Sequence, residues 1–379
     1  MRFPRTLARY VARETLQYAA VGFLAVASLF LANNLLRRLE DLAELGAHAG
    51  DVAAVTIRLL VILTTYALPI AFLFGVLVAL GRLGSDHEVL ATRALGVSLA
   101  QLAAPVLALA LAACALSGWL LLRAEPAARR SLIERIGEVA TRGGLIRGGD
   151  FTRLDKRGDR VLFVDRRTRE GELDGVLLSD RSNPQRPFTV LAGSGSFRFE
   201  RETATGHLLL HDGDVHFEPA EPDSDRTQRI AFRRFHYTFD LSRMTNLGLE
   251  RLKPRDLTGA EIASVLAYFD EHGAAPPQAR EQRREEYEVQ LERRRALPFA
   301  PLAFALLALP LGLGRRRGAR SLGALLCAAI AFGYYVLLNA GTAYATSGAL
   351  PAGLALWLPN LACALIAMPL WWRARHAEA

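Results

Sequence analysis

In the first third of the chain, polar side chains gather at two places, and each suits a different chemistry. Asp86, His87, Glu88 and Arg93 lie in one stretch, Gly81 to Ser98, that closes with Gly96-Val97-Ser98. Acidic residues opening a short helix that Gly96 stops could dock a cytosolic partner. A solvated connector between two spans would read the same way. Asn33, Asn34, Arg37 and Arg38 follow a long apolar run, and Arg58 falls inside the next one. Charges within or beside apolar spans are costly and usually face a cavity or a partner group, so Asn34, Arg37, Arg38 and Arg58 are candidates for holding a lipid headgroup. Arg58 lies close enough to the end of its run to snorkel instead.

Catalytic motifs do not emerge. No G-x-x-x-x-G-K-[ST] is present, so ATP hydrolysis through a P-loop is excluded for this chain alone. Gly312, Gly314 and Gly318 follow an apolar run and lack dinucleotide-binding spacing. Ser85-Asp86-His87 names the residues of a hydrolase triad, but adjacent residues cannot adopt its geometry. His207, His211 and His216 fall on an expected hairpin, where solvent-exposed histidines are the plainer reading than a metal site. The expectation is no catalytic centre, no metal and no cofactor.

The elements that must position these residues are mostly membrane spans. Hydrophobic residues make up 51% of the 379 and concentrate at the two ends of the chain. Six runs are long enough to cross a bilayer core, which takes about 20 helical residues: 16–36, 55–80, 98–122, 297–314, 322–340 and 350–372. Ala25-Val26-Ala27 resembles a cleavage site, yet the apolar run continues past it, which favours an uncleaved anchor. Arg2, Arg5, Arg9 and Arg13 precede the first span, Arg82 and Arg93 join the second to the third, Arg315, Arg316, Arg317 and Arg320 join the fourth to the fifth, and Arg373 and Arg375 follow the sixth. The alternate short loops carry only Arg37 and Arg38, so both termini are expected in the cytoplasm and the long middle segment outside. Trp119, Trp357, Trp371 and Trp372 fall near span ends as interfacial anchors. The net charge of +8 is explained by these flanking arginines, not by a nucleic-acid footprint. Cys114, Cys327 and Cys363 all lie in apolar runs and read as packing residues.

Between Gly148 and Leu241 the pattern changes to period two. Strands are expected at 161–165, 175–179, 188–192, 196–200, 207–211, 215–218 and 229–239, with Asp212-Gly213 as a hairpin turn. Many short strands without intervening helices predict a sandwich or jelly roll. A short helix at 258–269, a break at Pro276-Pro277 and a charged helix at 278–295 follow. The division is then 1–124 for three spans with the acidic helix near 84–96, 125–295 for a β-domain with connecting helices, and 296–379 for three more spans. The fold class is membrane α+β, with six transmembrane helices (3+3) around an inserted periplasmic all-β jelly roll.

Several stretches, in order, resemble the LptF/LptG family of lipopolysaccharide-export permeases across nearly the whole chain. They are Arg9-Tyr10, Arg13-Glu14-Thr15-Leu16, the loop from Gly81 to Ser98, Gln290 to Pro298, and Pro310-Leu311 with the basic loop after it. The Arg-Glu-Thr-Leu opening leans towards the F-type subunit. The resemblance implies an ABC-transporter permease of the inner membrane of a Gram-negative bacterium, without an ATPase site of its own. Its implied partners are a cytosolic ATPase dimer, a second related permease, a periplasmic jelly-roll bridge protein and lipopolysaccharide. It assigns ATPase coupling to Asp86, His87, Glu88 and Arg93, and phosphate contact to Arg37 and Arg38, whose guanidinium groups suit bidentate binding. Gln290 stands where a glutamate is common, which withdraws any role for that carboxylate. A lipoprotein-release or efflux permease carries its outer domain after the first span, and a non-transporting envelope scaffold needs no coupling helix; both are the alternatives.

Overall fold

The computed structural model describes residues 5–44, 48–139, 149–154, 159–168, 172–183, 185–200, 205–217, 228–240, 254–273, 283–313 and 319–376. Glu218, Pro276-Pro277 and the basic loop 315–317 lie outside them. Five helices come first: α1 (Arg5–Glu44), α2 (Ala49–Ser85), α3 (Glu88–Ala94), α4 (Leu99–Trp119) and α5 (Glu125–Val139). Six strands follow: β1 (Asp150–Arg153), β2 (Arg160–Arg167), β3 (Glu172–Asp180), β4 (Phe188–Glu200), β5 (Thr205–Phe217) and β6 (Gln228–Asp240). The chain then returns to helix with α6 (Gly259–His272), α7 (Arg284–Ala296), α8 (Ala300–Leu313), α9 (Ala319–Thr346) and α10 (Ala352–His376). Among the described residues, six helical stretches are long and apolar enough to cross a membrane. They are Arg5–Asn34, Ala49–Ser85, Leu99–Ile136, Arg284–Leu313, Gly323–Thr346 and Ala352–Ala374. The chain forms two compact units, one of Met1–Leu31, Leu60–Ala127 and Pro254–Ala379, the other of Ala32–Leu59 and Ala128–Lys253.

The first unit is helical. Lipid tails are as apolar as leucine, so its helices gain from close packing and internal hydrogen bonds more than from hydrophobic burial. Gly75 on α2 shows the closeness: a Cβ there would lie 2.6 Å from the Thr15 carbonyl and 2.7 Å from Ala19, both on α1. Pro298 and Pro301 deprive the carbonyls of Arg294 and Leu297 of helical donors. The backbone tightens there into a 3₁₀ turn, Leu297–Phe299, between α7 and α8. Asn360 of α10 meets this break: its amide donates to the Ala296 carbonyl at 2.8 Å and its oxygen accepts the Tyr334 hydroxyl at 3.0 Å. The buried amide is thereby satisfied, as a polar group in such a place must be. Trp371, expected at the interface, instead donates its indole N–H to the Leu306 carbonyl. The three cysteines are thiols; Cys327 and Cys363 are buried and Cys114 half-buried.

The third span does not stop at Leu122 as the sequence suggests. It passes through one π-helical turn, Leu120–Ala124, and continues as α5 to Val139.

In the second unit, α5 runs beside the first turns of α2. Asp51 is buried and pairs with Arg135 at 2.8 Å, while Arg58 Nε donates to Ser131 at 2.7 Å. Ascending α2 from 51 to 58 descends α5 from 135 to 131, so the two segments are antiparallel.

The strands form one antiparallel sheet in the order β1-β2-β3-β4-β5-β6, each pairing with its neighbour in the chain. This is a meander; the Greek-key crossings of a jelly roll are not present among the described strands. Two expected pairs of strands are each one long strand: 188–192 and 196–200 fuse into β4, and 207–211 and 215–218 into β5. Asp212-Gly213 is therefore no hairpin turn but lies inside β5.

Those fused strands share a fold line. Pairing skips Asp165 opposite Gly175, Gly193 opposite Asp212, and Asp212 opposite Arg233, with the register unchanged on both sides. Gly175 (φ +63°) and Asp212 (φ +51°) are left-handed within this row. The buried face changes parity across it: Val176 and Leu173 are both buried, as are Leu210 and Val215, although odd separations point opposite ways on a flat strand. The sheet must turn over along the row. Phe188 and Phe197 are nine residues apart on β4, about 30 Å on a flat strand. Yet Tyr237, in register with Phe197 through Leu208, lies 6.4 Å from the Phe188 ring. One folded meander thus supplies two facing apolar layers.

A buried polar contact closes the fold. The Tyr237 hydroxyl donates to Asp180 Oδ2 at 2.6 Å, and the Ser182 hydroxyl and amide donate to Oδ1 at 2.6 and 2.9 Å. Arg160 pairs with the same carboxylate at 3.2 Å. Burial by itself raises the acid's pKa, but these hydrogen bonds and the Arg160 charge outweigh it and hold Asp180 below the usual carboxylate range. A depressed folded pKa means that Asp180 stabilises the fold above its unfolded value, about 3.9, and that this is lost as pH falls through the lower folded value. Tyr237→Phe should cost about 1.5–3 kcal/mol, the worth of a hydrogen bond to a charged group. Amide exchange in β3 and β6, followed from neutral pH to below pH ~4, checks both points. The wild type should lose protection at a lower pH than the variant.

Candidate functional site

The Asp86–Arg93 stretch forms a compact, well-terminated unit. Arg82 Nε meets Asp86 at 3.3 Å, and the Asp86 amide donates to the Arg82 carbonyl, ending α2. His87 then takes a left-handed conformation, φ +57°, which reverses the chain in one residue. Such a backbone is uncommon for a side chain with a Cβ, though histidine tolerates it better than most. The His87 carbonyl accepts the Ala91 amide and starts α3, Glu88–Ala94. At its far end, the Gly96 amide donates to Arg93 and the Val97 amide to Thr92, a complete Schellman motif with Gly96 at φ +81°. Ser98 then caps α4 in a reciprocal capping box with Gln101. The Gly-x-Ser signature is thus the end of one helix joined directly to the start of the next.

Two contacts tie this unit to α1. Glu14, buried on α1, pairs with Arg82, which also holds Asp86. The Tyr10 hydroxyl donates to Glu88 Oε1 at 3.1 Å. Asp86 and Glu88 are therefore both placed by neighbours, His87 makes the turn, and Arg93 lies in the last turn of α3, where its charge suits the helix dipole.

Sequence reasoning missed the apolar half of this surface. Val89 is buried, but Leu90 is 63% exposed and Leu95 84% exposed, with Ala91 and Ala94 open between them. The signal was available: 90, 91 and 94 recur at helical spacing on one face of a seven-residue helix, and Leu95 follows as its C-cap. Leu90 and Leu95 thus stand exposed in the same stretch as the carboxylates of Asp86 and Glu88.

The headgroup candidates are brought together only in part. The α1 backbone stays helical through positions 37 and 38, but the side chains of Arg37 and Arg38 lie outside the described residues. Asn34 is half-buried on the same helix. Arg58 donates to Ser131 and, through Nη1, to the Ala54 carbonyl at 2.8 Å. One of its five donors thus joins α2 to α5, which sequence reasoning did not foresee. Nor do the histidines gather as a hairpin cluster. His207 stacks on His236, with Nδ1 and Nε2 3.2 Å apart, and no group of three or more metal-capable side chains occurs among the described residues.

No curated protein matches the chain. The family model described as "Lipopolysaccharide export system permease LptF/LptG" matches residues 9–374. That match includes α3 with both of its ties to α1, the folded sheet and all but the outermost turns of the apolar helices, and the chain belongs to the LptF/LptG family of lipopolysaccharide-export permeases.

Proposed function

We propose that this chain is a transmembrane subunit of an ABC exporter that takes lipopolysaccharide from the inner membrane and passes it to a periplasmic bridge. The observation that carries this reading is α3: a short helix closed at its C-terminal end by a Schellman motif, with Leu90 and Leu95 exposed beside Glu88, and gripped by α1 through Tyr10 and through Glu14–Arg82. A cytosolic ATPase dimer docks there, and its closure on ATP pulls α3 and, through those contacts, α1. Both termini are cytoplasmic, residues 1–124 and 296–379 form the spans, and 125–295 is periplasmic. A second, related permease completes the cavity. Lipopolysaccharide enters that cavity with its phosphates against Arg37 and Arg38, while Arg58 and Asn34 shape the wall. The apolar interior of the β-domain, the counterpart of the jelly roll in the bridge protein, then receives the acyl chains. The lean towards the F-type subunit rests on Arg13-Glu14-Thr15-Leu16.

Purification of the complex in detergent tests this. Leu95→Asp places a charge in the docking surface and should strip the ATPase from the permease. Glu88→Ala should weaken retention by about tenfold, since a hydrogen bond to a charge is worth about 1.5–3 kcal/mol. Co-purification of the ATPase at wild-type levels with both variants would rule the docking role out.

A further inference from the structure

Three arginines in succession end α7, and they meet different surroundings. Arg294 is buried and donates to the Arg255 carbonyl at 3.1 Å; Arg295 donates to Glu292 at 2.7 Å. Arg293 forms no ion pair with a carboxylate among the described residues. Its guanidinium carbon lies over the Tyr66 ring, 5.4 Å from the centroid, and its Nε is buried without a hydrogen-bond acceptor. Tyr66 is itself held, because the Tyr335 hydroxyl donates to its carbonyl at 3.1 Å. Just beyond, Leu297 begins the apolar run of the fourth span.

A cation at the edge of the hydrocarbon is stable only beside a compensating group. An aromatic face offers partial compensation and orients the guanidinium. It does not satisfy the in-plane N–H donors, and those are what a tetrahedral oxyanion takes up in pairs. Arg293 is half-buried: its Nε is closed off, and the terminal amino groups are what an amphiphile can reach. At this position the oxyanion available is the phosphate of a lipid headgroup.

We propose that Arg293, seated on Tyr66, is a binding site for a lipid phosphate, separate from the candidates on α1 and at the start of α2. The site itself follows from the geometry; that its occupant is the transported glycolipid and not a resident phospholipid rests on the permease reading. Native mass spectrometry of the full chain with its co-expressed partners tests it. The complex is placed in nanodiscs of phosphatidylcholine doped with either lipid A or phosphatidylglycerol, and retained anionic lipid is counted. Arg293→Gln should lower retention of at least one of them by about tenfold. Arg293→Lys, which keeps the charge but not the planar fork, should fall between, and Arg295→Gln should match the wild type. Loss of lipid A places the transported glycolipid in the seat. Loss of phosphatidylglycerol alone keeps the phosphate seat and removes its link to transport. Retention of both lipids at wild-type level by Arg293→Gln and Arg293→Lys overturns the proposal, and so does an equal loss in Arg295→Gln. The Lys variant decides the matter if the Gln variant does not fold.

Discussion

Gly213→Val should disrupt the β-domain while Gly193→Ala, on the same fold line one strand away, leaves it nearly unchanged. A Cβ at position 213 would lie 2.1 Å from the Leu191 carbonyl oxygen and 2.8 Å from the Phe232 ring. Backbone within a hydrogen-bonded sheet cannot retreat, so the strand would have to leave its register with Ala192 and Phe232. Overpacking that flexible side chains can absorb costs about 1–3 kcal/mol, and a clash with backbone should reach or exceed the upper figure. At Gly193 the nearest atom to a new Cβ is the Asp212 carbonyl at 3.6 Å, an ordinary contact on an exposed residue. That change should stay within about 0.5 kcal/mol. Limited proteolysis of the membrane-embedded chain separates the two. Cleavage between β4 and β6 should become rapid in Gly213→Val alone, and equal resistance of both variants would mean that β5 does not pass this close to Leu191.

Glu14→Ala should abolish transport while the ATPase still co-purifies. Glu14 is buried against Arg82, and its removal costs a hydrogen bond between charged groups, worth about 1.5–3 kcal/mol. Arg82 keeps Asp86, so α2 still ends as before and α3 still presents Leu90 and Leu95. What is lost is one of the two ties between α3's base and α1. Tyr10→Phe removes the other, the hydroxyl donated to Glu88, and should act in the same direction with a smaller effect. Measured in proteoliposomes, Glu14→Ala should show ATP hydrolysis without lipopolysaccharide release. Transport at the wild-type rate would disconnect α1 from the power stroke.

Much of this architecture is written locally. Runs of about twenty apolar residues are long enough to cross a bilayer, so the six spans follow from composition. Gly96 and Ser98 are equally legible, since a left-handed stop and an N-cap are each made by a residue and its immediate neighbours. The exposed face of α3 was legible too, had the helical period been applied to Leu90, Ala91 and Ala94.

Tertiary structure decided the rest, for a common reason: the same local signal serves different ends depending on what lies across from it. Asp212-Gly213 specifies a left-handed residue, which in isolation makes a hairpin. Flanked on both sides by strands whose own pairing lapses in the same row, it makes a crease, and the sheet folds over without changing register. Asp180 and Tyr237 are 57 residues apart, and only that crease brings them together. Arg58 also meets Ser131, on a span that runs on past its apolar end, a contact that no local signal announces. Of three identical arginines in a row, Arg295 takes a carboxylate from its own helix, while only the tertiary structure gives Arg294 a carbonyl and Arg293 an aromatic ring, with no carboxylate partner among the described residues.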